Sequence, residues 1–143
     1  MSFNVLIVDD SAAMRAVIRK IIAMSGFRMT SCFEAANGVE ALGRLQDNWV
    51  DVIMSDINMP EMNGLEFLQA LRRDPLYRNI PVIIVSTEGS AERIEEARLS
   101  GARGFIKKPF LPDEVRRVLH EVIGVGEDGK YQEGQGDADE GDF

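Results

Sequence analysis

Four short apolar runs and a weaker fifth, each followed by a segment of helical period, restrict this chain to very few architectures. Phe3–Val8 (FNVLIV) ends in Asp9-Asp10, and Met14, Val17, Ile18, Ile21 and Ile22 then recur at helical spacing up to Gly26. Residues 28–33 form the weaker strand. Asn37 with Glu40 three positions on resembles a capping arrangement for a helix through Val39, Leu42 and Leu45. Residues 50–55 read as a third strand ending at Asp56; Pro60 and Gly64 punctuate the next loop, and Leu65, Leu68 and Leu71 start a third helix. Residues 80–85 (IPVIIV) are almost wholly apolar, the pattern of a central parallel strand covered on both faces. A fourth helix over residues 90–100 has only a thin apolar side of Ala91, Ile94 and Ala97. Gly104–Lys107 is a fifth strand, and a last helix from Pro112 shows a stripe of Val115, Val118, Leu119, Val122 and Ile123. Strands joined through helices in this alternation imply a mostly parallel sheet with right-handed crossovers and helices on both faces, a doubly wound α/β fold.

Composition removes several kinds of function. The net charge is -8, from 16 Lys and Arg against 24 Asp and Glu, the wrong sign for a nucleic-acid partner. No apolar run approaches a membrane span, and the absence of a signal-peptide pattern after Met1 makes the cytoplasm the expected location. One cysteine, Cys32, and one histidine, His120, exclude an internal disulfide and a His/Cys metal site. The phosphate-binding GxxxxGK loop is missing, which excludes P-loop nucleotide hydrolysis. The charge is also uneven: residues 127–143 carry 7 acids and 1 lysine, while the other 126 residues hold 17 acids and 15 bases. This Gly-rich end has almost nothing to bury and is expected to be a disordered acidic tail, 125–143, behind a single domain, 1–124.

Ligands of a doubly wound sheet sit beyond the carboxyl ends of its strands. The first strand delivers Asp9 and Asp10 there, the third Asp56, the fourth Ser86, and the fifth Lys107-Lys108-Pro109. Three clustered carboxylates repel one another unless a cation or lysine offsets them. Oxygen-only ligands favour a hard divalent ion, and few carboxylates with open positions favour Mg²⁺ shared with phosphate oxygens.

The strings VLIVDDSAAMR, DVIMSDINMPEMNGLEFL, PVIIVSTEGS and GARGFIKKPF resemble the receiver domain of two-component response regulators, particularly the CheY-like type, over residues 3–124. The resemblance implies a five-stranded parallel sheet with five helices, flavodoxin-like and of receiver type. It implies that Asp56 is phosphorylated by a sensor histidine kinase. Asp9, Asp10 and Asp56 would hold Mg²⁺, with Asp10 a direct ligand and the Asn58 carbonyl adding an oxygen. Ser86 and Lys108 would complete the catalytic set, and Ser86 with Phe105 would form the switch. Asn58 and Glu88 match positions that tune the phosphoryl lifetime, and the family suggests a cis bond between Lys108 and Pro109. Such a domain is not an enzyme acting on other molecules; it catalyses only its own phosphorylation and dephosphorylation.

Only 19 residues follow Gly124, so output is expected through partner binding on the face of the fourth helix, fifth strand and fifth helix, as a monomer and in the manner of chemotaxis-type regulators. A phosphorelay intermediate or a receiver cut from a larger regulator is the alternative. Outside the family, a flavodoxin-type protein would place an FMN phosphate against Asp9-Asp10, which repel it. An Mg²⁺-dependent hydrolase with an aspartate nucleophile needs a D-x-D pair, whereas Asp9 and Asp10 are adjacent. Among the remaining residues, His120 is expected to be solvated, Cys32 a small buried filler, Trp49 packed on a loop, and most methionines in the core.

Overall fold

Apolar runs without a polar face are stable only when both sides are covered, and the observed sheet covers them. A computed structural model of the chain describes residues 2–87 and 89–124. The strands are β1 (Phe3–Val8), β2 (Met29–Ala35), β3 (Val52–Ser55), β4 (Val82–Ser86) and β5 (Gly104–Lys107). Between and after them come α1 (Ala12–Ser25), α2 (Gly38–Asp47), α3 (Gly64–Arg72), α4 (Ala91–Leu99) and α5 (Pro112–Ile123). The strands lie in the order β2-β1-β3-β4-β5, every neighbouring pair parallel. In β1 the period of two sends Phe3, Val5 and Ile7 to one face, against Ile18 and Ile22 of α1 and Val115 and Leu119 of α5. Leu6 and Val8 face the other way, against Leu45 of α2, Phe67 and Leu71 of α3 and Ala97 of α4. The architecture is the doubly wound five-stranded parallel α/β fold expected from the sequence.

Several boundaries differ from the sequence reading. β2 runs on to Ala35 because Glu34 and Ala35 pair with Ile7 and Val8. β3 begins at Val52, since Asp51 is engaged otherwise: its carboxylate accepts the Asn4 N–H at 2.7 Å while its own N–H donates to the Asn4 carbonyl at 2.9 Å. β4 begins after Pro81, which has no N–H to give a ladder. Trp49 does not pack on a loop; it is 78% exposed, with its indole N–H donating to the Asp51 carboxylate at 3.1 Å. His120 is half-buried rather than solvated, its ring 6.3 Å from that of Phe27. Cys32 is half-buried at the margin of the core, and burial pushes its thiol pKa up, as for an unreactive filler. The 125–143 segment lies outside the described residues.

Helix starts follow local chemistry. Ser11 Oγ accepts the Met14 N–H at 3.1 Å to cap α1, and the Asn37 side chain accepts the Glu40 N–H at 2.9 Å. The Glu40 carboxylate does not close the reciprocal bond but takes the Ala36 N–H at 2.8 Å. A complete capping box stands at α3 instead: Asn63 accepts from the Glu66 N–H at 2.9 Å, and Glu66 accepts from the Asn63 N–H at 3.0 Å. Asn63→Ala should therefore cost about 1 kcal/mol. It would appear as a lower urea midpoint at unchanged slope, and an unmoved midpoint would contradict the capping role. α4 is the weakly held helix, with Ala97 its one buried residue and Ile94 37% exposed.

Candidate functional site

In the strand order β2-β1-β3-β4-β5 the chain reverses direction of travel across the sheet between β1 and β3, so the carboxyl ends of these two strands frame a crevice. Asp9 follows β1 directly and Asp56 follows β3, and the Asp56 N–H donates to the Val8 carbonyl at 2.9 Å. That bond ties the two strand ends together. Carboxylate oxygens of Asp9, Asp10 and Asp56 come within 4.8 Å of one another. Asp9 is buried, Asp56 half-buried and Asp10 exposed, so the cluster opens to solvent on the Asp10 side.

Each buried carboxylate is held by named donors. Asp9 Oδ1 accepts the Ser11 N–H at 2.9 Å and Oδ2 accepts from Lys108 Nζ at 3.0 Å. Asp56 Oδ1 accepts the Ile57 N–H at 2.7 Å, and its Oδ2 lies 3.7 Å from Lys108 Nζ. Lys108 thus bridges two acids across the crevice. Its backbone N–H donates to the Ser86 carbonyl at 2.9 Å, which keeps the β5 end beside the β4 end, and its peptide bond to Pro109 is cis. Ser86 is wholly buried at the end of β4.

The electrostatics are unbalanced. Burial pushes the Asp56 carboxyl pKa above the usual carboxylate value, and neighbouring Asp9 pushes it the same way. Lys108 and the backbone N–H groups of Ile57 and Asn58 oppose the rise without cancelling it. Three carboxylates against one ammonium leave two negative charges uncompensated. The donor set is all oxygen, without thiol or imidazole, and one member is open to water; that fits a hard, partly hydrated divalent cation.

The sequence-predicted residues Asp9, Asp10, Asp56, Ser86 and Lys108 therefore meet at one edge. Asn58 is exposed in the loop after β3. Phe105 lies on β5 opposite Ile84, half-buried, and with Ile94 and Ala97 of α4 it lines a groove of about 180 Å³. Glu88 lies outside the described residues. Two supporting residues were not anticipated. Arg15 reaches from α1 to the Asp9 carbonyl at 2.7 Å while its Nε pairs with Glu34 at 2.9 Å. Gly64 sits against the Asp56–Ile57 backbone, its N–H donating to the Ile57 carbonyl at 2.7 Å. The Asn-x-x-Glu pattern at Asn63 marks the start of α3 and would have drawn notice to Gly64; nothing in the sequence pairs Arg15 with Glu34.

Comparison with known proteins agrees with this geometry. Residues 5–120 match the response regulator receiver domain family. The chain is 39% identical over 124 residues to the chemotaxis protein CheY homolog of Campylobacter jejuni, covering 86% of this chain and 94% of that one. Among solved structures it resembles the Vibrio cholerae chemotaxis response regulator CheY4, with TM-score 0.75 and 37% identity over 85% of this chain and 99% of that one. It also resembles a chain of the CheX-CheY-BeF3-Mg²⁺ complex from Borrelia burgdorferi, with TM-score 0.71 and 29% identity over 85% of this chain and 89% of that one. A family match over most of the chain, on a sheet that gathers Asp9, Asp10, Asp56, Ser86 and Lys108 at its switch point, makes this protein a member of the response regulator receiver domains, of the CheY-like type.

Proposed function

We propose that this chain is a phosphoacceptor response regulator, taking a phosphoryl group from a sensor histidine kinase on Asp56 with the help of Mg²⁺. The observation that carries this reading is the Asp56 carboxylate, set between Lys108 Nζ at 3.7 Å and the acids Asp9 and Asp10. An Asp56 oxygen forms a bond to phosphorus while the P–N bond of the donor phosphohistidine breaks and the imidazole leaves. The transition state is loose, with charge on three equatorial oxygens, so the residues act by position and charge. The Lys108 ammonium, already turned towards Asp56, takes one oxygen, and the Ser86 hydroxyl another. Asp9, Asp10, Asp56 and the Asn58 carbonyl would hold Mg²⁺, which when bound would supply the remaining charge neutralisation. Asn58 and Glu88 flank the line of approach of the hydrolytic water and set the phosphoryl lifetime. The protein thus acts chemically only on itself.

Output, in this reading, is binding of a partner at the α4–β5–α5 face by a cytoplasmic monomer. When Ser86 turns towards the phosphoryl group, it vacates space for the Phe105 ring, beside the weakly packed α4. Resemblance at 37–39% identity to proteins named for chemotaxis favours that pathway over a phosphorelay. The receiver unit spans residues 1–124, with 125–143 an appended acidic segment.

The test is labelling by a small acyl phosphate, with and without Mg²⁺, followed by peptide mapping. Label should appear on the Asp56 peptide and only with the metal; label elsewhere, or indifferent to Mg²⁺, overturns the assignment. Mg²⁺ alone should also stabilise the protein by RT ln(1 + [L]/Kd), about 1.4 kcal/mol at ten times Kd. Asp10→Ala should remove most of that gain. A thermal midpoint that ignores millimolar Mg²⁺ in the unsubstituted protein would contradict the metal site.

A further inference from the structure

We propose that the acidic segment 127–143 docks in cis on an arginine-lined groove at the open edge of the sheet. This inference stands apart from the phosphoacceptor reading and uses none of its residues as ligands. β2 is an edge strand, and edge strands expose backbone groups that must be covered or paired. Here guanidinium groups do the covering. Arg19 Nη2 donates to the Cys32 carbonyl at 3.1 Å, and Arg44 Nε donates to the Glu34 carbonyl at 3.0 Å. With Arg15 they line a groove of about 410 Å³ between α1, β2 and α2.

The groove is short of negative charge. Glu34 alone pairs with both Arg15 and Arg19, each at 2.9 Å, while the Glu40 carboxylate is turned to the Ala36 N–H. Among the described residues these bonds engage no more than two of the five N–H groups on each arginine. α1 itself, from Ala12 to Ser25, holds three basic residues and no acid. The rest of the body is almost neutral; residues 127–143, by contrast, carry seven acids and one lysine.

Reach selects this occupant. α5 finishes beside the foot of α1, where His120 lies 6.3 Å from Phe27. Arg19 stands seven residues back up α1 from Gly26, roughly 10 Å at 1.5 Å per residue, and passing round the helix adds about another 10 Å. The stretch 133–142, with five acids, begins 9 and ends 18 residues beyond Gly124. Nine to eighteen residues can span at most roughly 30–65 Å, so the groove lies within reach of these acids. Tethering raises the effective concentration of these acids at the groove to the millimolar range, where several exposed ion pairs of about 0.2–1 kcal/mol each give partial occupancy.

The test is amide chemical-shift comparison of the full chain with a full-length variant in which Glu133, Asp137, Asp139, Glu140 and Asp142 are replaced by their amides. At about 20 mM salt the two should differ at residues 15–19 and 32–44, and the differences should fall by at least about half near 0.5 M. Arg19→Glu with Arg44→Glu should abolish them; Arg44→Gln alone, a milder change, should reduce them if the double variant folds poorly. Arg15 is left intact because it supports Asp9. Identical spectra at low salt, differences confined to other surfaces, or differences that grow with protein concentration, as for the segment of a second copy, would each overturn docking in cis.

Discussion

Asp56→Asn should reduce phosphoryl labelling to background, a loss of at least about 100-fold, and should at the same time make the metal-free protein more stable. The two effects have one origin. Asp56 is pushed into a crevice beside the charge of Asp9, and burial raises its carboxyl pKa. Its native value lies above its unfolded value, so the native state keeps the proton to higher pH. Between the two values the folded protein binds more protons, and stability falls as pH rises through that window; above it the penalty is complete. An asparagine keeps the shape, still accepts the Ile57 N–H through its side-chain oxygen, and carries no charge to desolvate. In the presence of a chelator the thermal midpoint of the variant should therefore exceed the original by a few degrees at pH 7. The gap should close as the pH falls below the usual carboxylate range. Label surviving in Asp56→Asn would move the acceptor to another acid. A variant less stable at neutral pH would mean that pairing with Lys108 outweighs burial and repulsion.

That opposition between stability and chemistry explains why so much of the site is legible in sequence. Carboxylates at the ends of parallel strands have no structural reason to gather, and Asp9, Asp10 and Asp56 stand immediately beyond two apolar runs. Parallel strands place all such ends on one edge, so the convergence of Ser86 and Lys108 with the acids follows from the alternation of strand and helix alone. β1 and β4 were readable because their residues are apolar on both faces. What could not be read is whatever depends on distance between elements. Arg15 and Glu34 are 19 positions apart and meet through the pairing of β1 with β2. Trp49 reads as a packing residue by its type, yet the preference of Asp51 for Asn4 holds the loop outward. The boundary at Asp51 likewise depends on a contact between elements, its N–H finding the Asn4 carbonyl.

Gly64 is where the fold and the site share a backbone contact, and substituting it should have the largest cost to stability. A Cβ there would lie 2.8 Å from the Ile57 Cα and closer still to the Asp56 carbonyl oxygen. Neither neighbour is a side chain that can rotate away, so α3 would have to lift from the end of β3. Lifting it breaks the bond from the Gly64 N–H to the Ile57 carbonyl and disturbs the capping box behind it. Overpacking of this kind costs about 1–3 kcal/mol, and the lost hydrogen bond adds about 1 kcal/mol. Gly64→Ala should thus lose about 3 kcal/mol, a fall of roughly 12 °C in midpoint for a domain of this size. Labelling of Asp56 should slow as well, because the atom displaced is its own carbonyl. Gly43, inside α2, is the matched control: a Cβ there meets nothing within 4 Å. Gly43→Ala should gain about 0.5–1 kcal/mol from helix propensity alone and leave labelling unchanged. Two Gly→Ala changes with opposite signs would separate close backbone approach from helix propensity. Equal signs would mean that α3 can slide on β3 without strain, and that the Asp56 backbone is not held by it.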